Sequence, residues 1–269
     1  MHVVIDSECT IIPENAKLLT SEGNALLHFL RCLDYDPSDP PFADLLRQYH
    51  KLEGEWFVLS LVHWVATHND AMIATLGKEL QIQEGEAKLW FELFSQYLAE
   101  EGKVLHYHNP VTWLLYNDKE YLLRAKPVQH LLNQSLMPEL AQLDNTMYWQ
   151  KFLTECQMLF ASRPNNSLIN GLWVWGNAKL KEKKAISICA DEQFLPWAKI
   201  CGTNVSLYNS SLALKDYKIL LLTEFSMLSE QHQEELKKMT IHWYWNNAAY
   251  IQFSSGWLVH LWRKLIHAY

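Results

Sequence analysis

The sequence predicts an α/β protein in which a mostly parallel sheet is sandwiched by helices. Strand-like runs alternate with helix-like stretches over the second half of the chain, a pattern typical of parallel sheets covered by helices. The chain also opens on a β-branched run, "MHVVID". Hydrophobic residues make up 49% of the 269 residues, with only nine Gly and nine Pro, so disordered and collagen-like classes are excluded. We expect one domain over residues 1–269, with a small subdomain at about 79–145.

The first 52 residues predict a strand followed by two helices. "MHVVID" predicts a strand, and the amphipathic stretch "ALLHFLRCL" predicts a helix. Three prolines in "DYDPSDPPF" end that helix in a surface loop. Helical spacing resumes in "FADLLRQYHKL".

The middle of the chain contains one ambiguous run, one clear helix and a hairpin. "WFVLSLVHWV" is apolar at nearly every position and is compatible with a buried strand or a buried helix. "EGEAKLWFELFSQYLAEEG" has acids at its start and Gly102 after its end, which predicts a helix. "VLHYHN" and "VTWLLYN" flank Asn109-Pro110 and predict a β-hairpin.

The second half carries the alternating pattern. "MYWQKFLTECQMLFAS" predicts a helix that ends before Arg163-Pro164, because the residue before proline disfavours helical dihedrals. The predicted strands that follow are "LWVWG", "AISIC", "VSLY" and "KILLLTEF", and the predicted helices are "EQFLPWAKICG" and "SEQHQEELKKM".

Charge and cysteine content narrow the class of partner. Thirty acidic against 23 basic residues give a net charge of −7, and no basic face is evident, so we expect no nucleic-acid partner. No apolar run reaches the roughly 18 residues of a membrane span, and "MHVVIDSECT" lacks a signal-peptide pattern. The five cysteines are odd in number and contain no Cys-x-x-Cys pair, so we expect no disulfide framework, no zinc site and a cytoplasmic location.

No local sequence motif indicates a particular reaction, but two acidic residues occupy positions where α/β proteins bind ligands. No Gly-x-Ser-x-Gly, P-loop or Gly-x-Gly-x-x-Gly motif occurs. Asp6 and Glu224 each follow a predicted strand, and α/β proteins bind ligands beyond the carboxyl ends of their strands. Capping of the next helix is the alternative role. His106 and His108 share one face of a predicted strand. They are either a pair of metal ligands without a third ligand nearby or part of a partly exposed edge strand.

The segment "NGLWVWGNA" leaves two interpretations open. On a strand Trp173 and Trp175 share one face, which packing alone explains. Gly176 and Asn177 can instead present backbone N–H groups to an anion.

A family resemblance rests on the same segment. "CQMLFASRPNN" followed by "INGLWVWGNA" resembles a signature of proteobacterial phosphoglycerate mutase-like or RpfE-type regulatory proteins, which in turn resemble the archaeal-type cofactor-independent phosphoglycerate mutases. Asn170 matches the family asparagine, Gly176 matches the first loop glycine, and Trp175 stands where the mutases carry arginine. The resemblance implies a shortened alkaline phosphatase-like fold.

The sequence departs from the mutases at the residues that carry their chemistry, so we expect that this chemistry is lost. Those enzymes hold two metal ions with aspartates and histidines and carry the phosphoryl group on a serine. Asp6 alone matches an early metal ligand; "SMLSEQHQEEL" offers only His232 on a predicted helix, and "YIQFSSGWLVHLWRK" lacks the final Asp-His pair. We therefore expect no metal or other cofactor, and a binding or regulatory role toward a small phosphorylated metabolite or a protein partner. The predicted contact residues are Asp6, Asn170, Trp175, Gly176, Asn177 and Glu224.

Two other function classes stay open. The first is a metal-dependent phosphoryl-transfer enzyme, a mutase or phosphatase, with the atypical ligands Asp6, His63, Glu224 and His232. The second is an interaction module that anchors a partner through Trp257 and Trp262.

Overall fold

The protein is described here by a computed structural model, which covers residues 1–117, 122–163 and 167–254. The chain divides into two compact units. The first unit contains Met1–Asp34 together with Lys181–Tyr269, and the second contains Tyr35–Leu180. The expected subdomain at about 79–145 lies within the second unit, and the expectation of one domain stays a prediction.

The first unit is built on a seven-stranded sheet. The bounds of its elements are β1 His2–Ile5, β2 Lys17–Leu19, α1 Ala25–Cys32, β8 Lys184–Ala190, α6 Leu195–Cys201, β9 Gly202–Leu207, β10 Ile219–Leu222, α7 Glu230–Lys237, β11 Ile241–Trp245 and β12 Ala249–Gln252. The strands follow the order β2-β12-β11-β1-β10-β8-β9 in the sheet. Short 3₁₀ turns lie at Leu214–Asp216 and Phe225–Met227.

This sheet is mostly parallel, as the sequence predicts. β11, β1, β10, β8 and β9 run parallel, whereas β12 and β2 pair antiparallel at one end. Val3, Val4 and Ile5 of β1 are all fully buried, because helices cover both faces of the sheet. Leu236 of α7 packs on the face that carries Val3 and Ile5. On the opposite face, His28 of α1 lies 5.1 Å from the ring of Tyr244.

The second unit contains a five-stranded antiparallel sheet. The bounds are α2 Phe42–Tyr49, β3 Trp56–Ala66, β4 Ala71–Leu76, α3 Glu84–Glu100, β5 Leu105–Asn109, β6 Thr112–Tyr116, α4 Met137–Gln142, α5 Tyr148–Ala161 and β7 Gly171–Trp175, with 3₁₀ turns at Gly77–Leu80 and Val128–Leu131. The ambiguous apolar run forms the strand β3, which pairs with β4, β6 and β7. The hairpin prediction is confirmed by β5 and β6, and the predicted helix after Gln83 is confirmed by α3.

The prediction that "LWVWG" joins the parallel sheet is wrong. β7 pairs antiparallel with β3, with Leu61 opposite Leu172 and Leu59 opposite Val174. Both faces of β7 are covered, since all five of its residues are buried. A strand that is apolar on both faces fits a covered antiparallel sheet as well as a parallel one, so the run of residues alone did not decide its partner. The α/β class is confirmed; the alkaline phosphatase-like fold stays a prediction.

Large aromatic side chains fill the core of the second unit. The rings of Trp90, Phe94 and Phe160 lie 4.7–6.4 Å from one another, within the range of favourable aromatic pairs. The other large rings that are almost fully buried are Phe57, Trp113, Trp149, Trp173 and Trp175.

The thiols of the chain differ in their exposure. Burial raises the pKa of Cys32, Cys189 and Cys201 to about 12 and the pKa of Cys156 well above the usual range. Cys9 is only partly buried, and its Sγ donates to the carbonyl oxygen of Ile11 at 3.3 Å.

Within the described residues, no helix combines the length and apolarity needed to cross a bilayer.

Gly171, at the start of β7, lies against the indole of Trp64. A Cβ atom at position 171 would lie 2.5 Å from Cδ1 and 2.7 Å from Nε1 of Trp64, closer than van der Waals contact permits. The glycine therefore lets the bulky Trp64, which is 8% exposed, pack directly on the backbone of β7.

We predict that Gly171→Ala destabilises the protein by about 1–3 kcal/mol, because the added methyl group forces Trp64 and β7 apart. Denaturant unfolding measures the change. Gly85→Ala is the matched control: Gly85 lies in the first turn of α3 with nothing within 4 Å of the added methyl group. Equal stabilities of the two variants would contradict the close packing.

Candidate functional site

A cavity of about 470 Å³ opens at one edge of the seven-stranded sheet. Its lining includes Ser7–Ile11, which follow β1, and Glu224–Ser226, which follow β10. One wall consists of the aromatic side chains of Phe225, Trp243, Trp245 and Tyr250. We call this cavity the edge pocket.

The aromatic wall follows from the geometry of β11 and β12. Trp243 and Trp245 are two residues apart on β11, so their side chains lie on the same face of the sheet, with ring centroids 6.1 Å apart. Tyr250 on β12 pairs directly with Trp243, and its ring centroid lies 6.5 Å away. Phe225 lies 5.9 Å from Trp243 and 6.0 Å from Trp245. Four rings from three chain segments therefore form one continuous surface.

Carboxylates dominate the charged groups around the edge pocket. Glu8 and Glu224 are exposed residues of its lining. Glu224 accepts a hydrogen bond from Ser226 Oγ at 3.0 Å. Within the described ranges, neither glutamate has an ion-pair partner. The basic residue of the lining, Lys237, is already paired with Glu234 at 2.6 Å.

Asp6 lies beside this pocket and has a structural contact. Its backbone N–H donates to Leu222 O at 2.9 Å, which extends the pairing of β1 and β10 by one residue. Its carboxylate oxygen Oδ1 accepts from Asn246 Nδ2 at 2.9 Å. Asp6 and Glu224 thus both lie at the carboxyl ends of parallel strands, as the sequence predicts, and Glu224 lines the pocket.

The other predicted contact residues belong to the second unit. Asn170 accepts from the backbone N–H of Trp64 at 2.6 Å and donates to Trp64 O at 2.8 Å. Trp175 is 1% exposed, donates its indole N–H to Ser60 Oγ at 2.8 Å, and stacks on Phe42 at 5.3 Å. These contacts hold β7 and its neighbours together.

The end of "NGLWVWGNA" is a turn with a steric requirement. Gly176 has φ of +88°, which favours glycine, and an added Cβ would lie 3.2 Å from Ala43 Cβ. Asn177 is exposed.

A cavity of about 660 Å³ in the second unit includes Asn170 in its lining, together with Trp64, Leu153 and Phe160. Arg163 is the charged residue of its lining. We take the edge pocket as the candidate site, because its lining follows the carboxyl ends of parallel strands, where α/β proteins bind ligands.

Both nitrogens of His232 are occupied. Nδ1 lies 2.8 Å from Tyr208 Oη, and Nε2 lies 2.9 Å from Leu212 O, in a side chain that is 1% exposed. His63 belongs to the second unit, where its Nδ1 lies 2.6 Å from Leu168 O. Within residues 1–117, 122–163 and 167–254, no three His, Cys, Asp or Glu side chains form a group that can hold a metal ion.

A third imidazole joins the predicted pair His106 and His108. His50 Nε2 lies 2.9 Å from His108 Nδ1, and the ring of His50 lies 4.5 Å from the ring of His106. Burial lowers the pKa of all three imidazoles, to about 4 for His108, where the neighbouring His50 and His106 add repulsion. The cluster is therefore held in its neutral form at neutral pH.

The sequence reasoning missed the aromatic wall. No strand was predicted over β11 and β12, yet "IHWYW" shows the same spacing of two tryptophans that was recognised in "LWVWG". This spacing, which follows a predicted helix and precedes a turn at Asn246-Asn247, indicates a strand. The alternative interface through Trp257 and Trp262 lies outside the described residues.

Comparison with known proteins gives a distant structural likeness. No protein-family model matches the chain. No curated protein matches it either. The solved structure of the cofactor-independent phosphoglycerate mutase from Thermoplasma acidophilum DSM 1728 is similar at a TM-score of 0.36 and 10% sequence identity, over 95% of this chain and 89% of that one.

We predict that the stability of the protein falls as the pH drops from 6.5 toward 4. The lowered pKa of His108 means that the unfolded chain binds more protons in this window, so the stabilisation is present above pH 6.5 and is lost on acidification. His108→Gln should flatten the dependence by on the order of 1 kcal/mol, after allowance for solvent screening.

Denaturant unfolding at a series of pH values measures this effect. His68→Gln changes an exposed histidine between β3 and β4 and serves as the control. Identical pH dependence in the two variants would show that the cluster does not contribute.

Proposed function

We propose that this chain binds a small organic molecule in the edge pocket and acts as a binding or regulatory protein without metal-dependent mutase activity. The observation that carries the proposal is the pocket itself. Its volume of about 470 Å³ is within the roughly 300–1,000 Å³ of small-molecule sites. Its wall is aromatic, and a few polar groups surround it, as in sites that combine binding energy with orientation.

The position of the pocket supports the same function. Open parallel sheets bind ligands in crevices outside the carboxyl ends of their strands, where the connecting loops diverge. The segments after β1 and β10 both enter the lining. Adjacent strands in register supply these segments, since Ile5 pairs with Leu222.

The loss of mutase chemistry is proposed from the sequence. Of the metal ligands that the family resemblance implies, only Asp6 has a counterpart. Two metal ions stabilise the attacking and leaving oxygens together in phosphoryl transfer, and their loss removes several kcal/mol of transition-state stabilisation. A scaffold of this kind retains the capacity to bind after the capacity to catalyse has gone.

We predict that Ser226→Trp blocks binding at the edge pocket. Ser226 is an exposed residue of the lining, so an indole at this position fills the opening without entering the core. A panel of amines, amino acids, nucleosides, sugars and sugar phosphates is screened by thermal shift and by quenching of tryptophan fluorescence. Compounds that bind the natural protein should bind the variant at least tenfold more weakly.

Ser210→Trp is the matched control, because Ser210 is exposed in the same unit and does not line the pocket. The proposal fails if no compound of the panel produces a shift. It also fails if Ser226→Trp binds as the control does.

We predict that the purified protein contains no stoichiometric divalent metal and shows no manganese-dependent mutase or phosphatase turnover. Elemental analysis and activity assays with added manganese measure both quantities. The opposite result, stoichiometric metal with turnover that Asp6→Ala abolishes, would establish the enzyme alternative.

A further inference from the structure

We propose that the edge pocket selects an organic cation, a small alkylammonium or quaternary ammonium compound. The inference rests on the proposed function and names the class of ligand. It is carried by two independent features of the lining: the aromatic wall and the unpaired carboxylates beside it.

The aromatic wall provides an attractive surface for positive charge. A cation within about 6 Å of an aromatic ring centre is attracted by the negative ring face, and tryptophan gives the strongest effect. The centroids of Phe225, Trp243 and Trp245 lie 5.9–6.1 Å apart, so a single cation on this wall can approach more than one ring.

The charges around the wall have the sign that a cation requires. Glu8 and Glu224 are two carboxylates of the lining without an ion-pair partner in the described part of the chain. The Lys237 ammonium is neutralised by Glu234 at 2.6 Å. A positive ligand gains from both glutamates, whereas a phosphorylated ligand meets two negative charges and a lysine that must first leave its partner.

The decisive measurement compares two ligands of one shape. Choline and its neutral isostere 3,3-dimethyl-1-butanol differ only in the charge of the quaternary centre, and 3-phosphoglycerate serves as the anionic probe. Titration calorimetry and tryptophan fluorescence give the affinities. Choline should bind at least tenfold more tightly than the neutral isostere, and the preference should decrease at high salt, because both glutamates are exposed.

Two variants test the assigned contacts. Glu224→Gln should weaken choline binding about threefold to tenfold and leave the affinity of the neutral isostere unchanged. Glu182→Gln removes the same charge from an exposed residue of the same unit that lines neither the edge pocket nor the neighbouring cavity that contains Glu224, and it should have no effect on either ligand. Phe225→Leu retains an apolar side chain of similar size, and it should also weaken choline binding through the loss of a ring.

The outcomes separate this inference from the proposed function. Equal binding of choline and its isostere, or tighter binding of 3-phosphoglycerate, overturns the cation while leaving a functional pocket in place, provided that Ser226→Trp abolishes that binding. If neither these probes nor the wider panel binds, the proposed function and the inference fail together. Unchanged choline affinity in both Glu224→Gln and Phe225→Leu overturns the assigned contacts.

Discussion

The register of three parallel strands is the constraint on which the candidate site depends. Ile5 at the end of β1 pairs with Leu222 at the end of β10 and with Trp245 at the end of β11. Because these strands end level with one another, the segments that follow them leave the sheet at one edge. A slip of β1 by one residue would exchange the side chains that face the two helical layers.

Aromatic side chains serve different purposes in the two units. In the second unit the large rings are core, and Trp175 shows this most clearly, since its indole N–H is satisfied by Ser60 and its ring is stacked on Phe42. In the first unit Trp243 and Trp245 belong to the core and also form the wall of a cavity. A tryptophan count therefore says little about function until the neighbours of each ring are known.

The sequence predicts local structure well and strand partners poorly. The amphipathic pattern of α3 and the two strand-like runs that flank Asn109-Pro110 depend on neighbouring residues, so the residues alone predict them. The pairing of β7 with β3 depends on contacts across more than 100 positions, and the apolar character of β7 is compatible with either kind of sheet. The position of Glu224 was predictable because the end of the strand that precedes it can be recognised from neighbouring residues. The surrounding rings were not predicted, since β11 and β12 were not recognised as strands.

The uneven burial of the cysteines has a practical result for chemistry on this molecule. Four thiols are enclosed and held protonated, so mild alkylating reagents meet a single accessible sulfur, that of Cys9. Cys9 belongs to the lining of the edge pocket. The chain thus carries a natural attachment point for a fluorescent or spin reporter at the mouth of its cavity, with no engineered cysteine required.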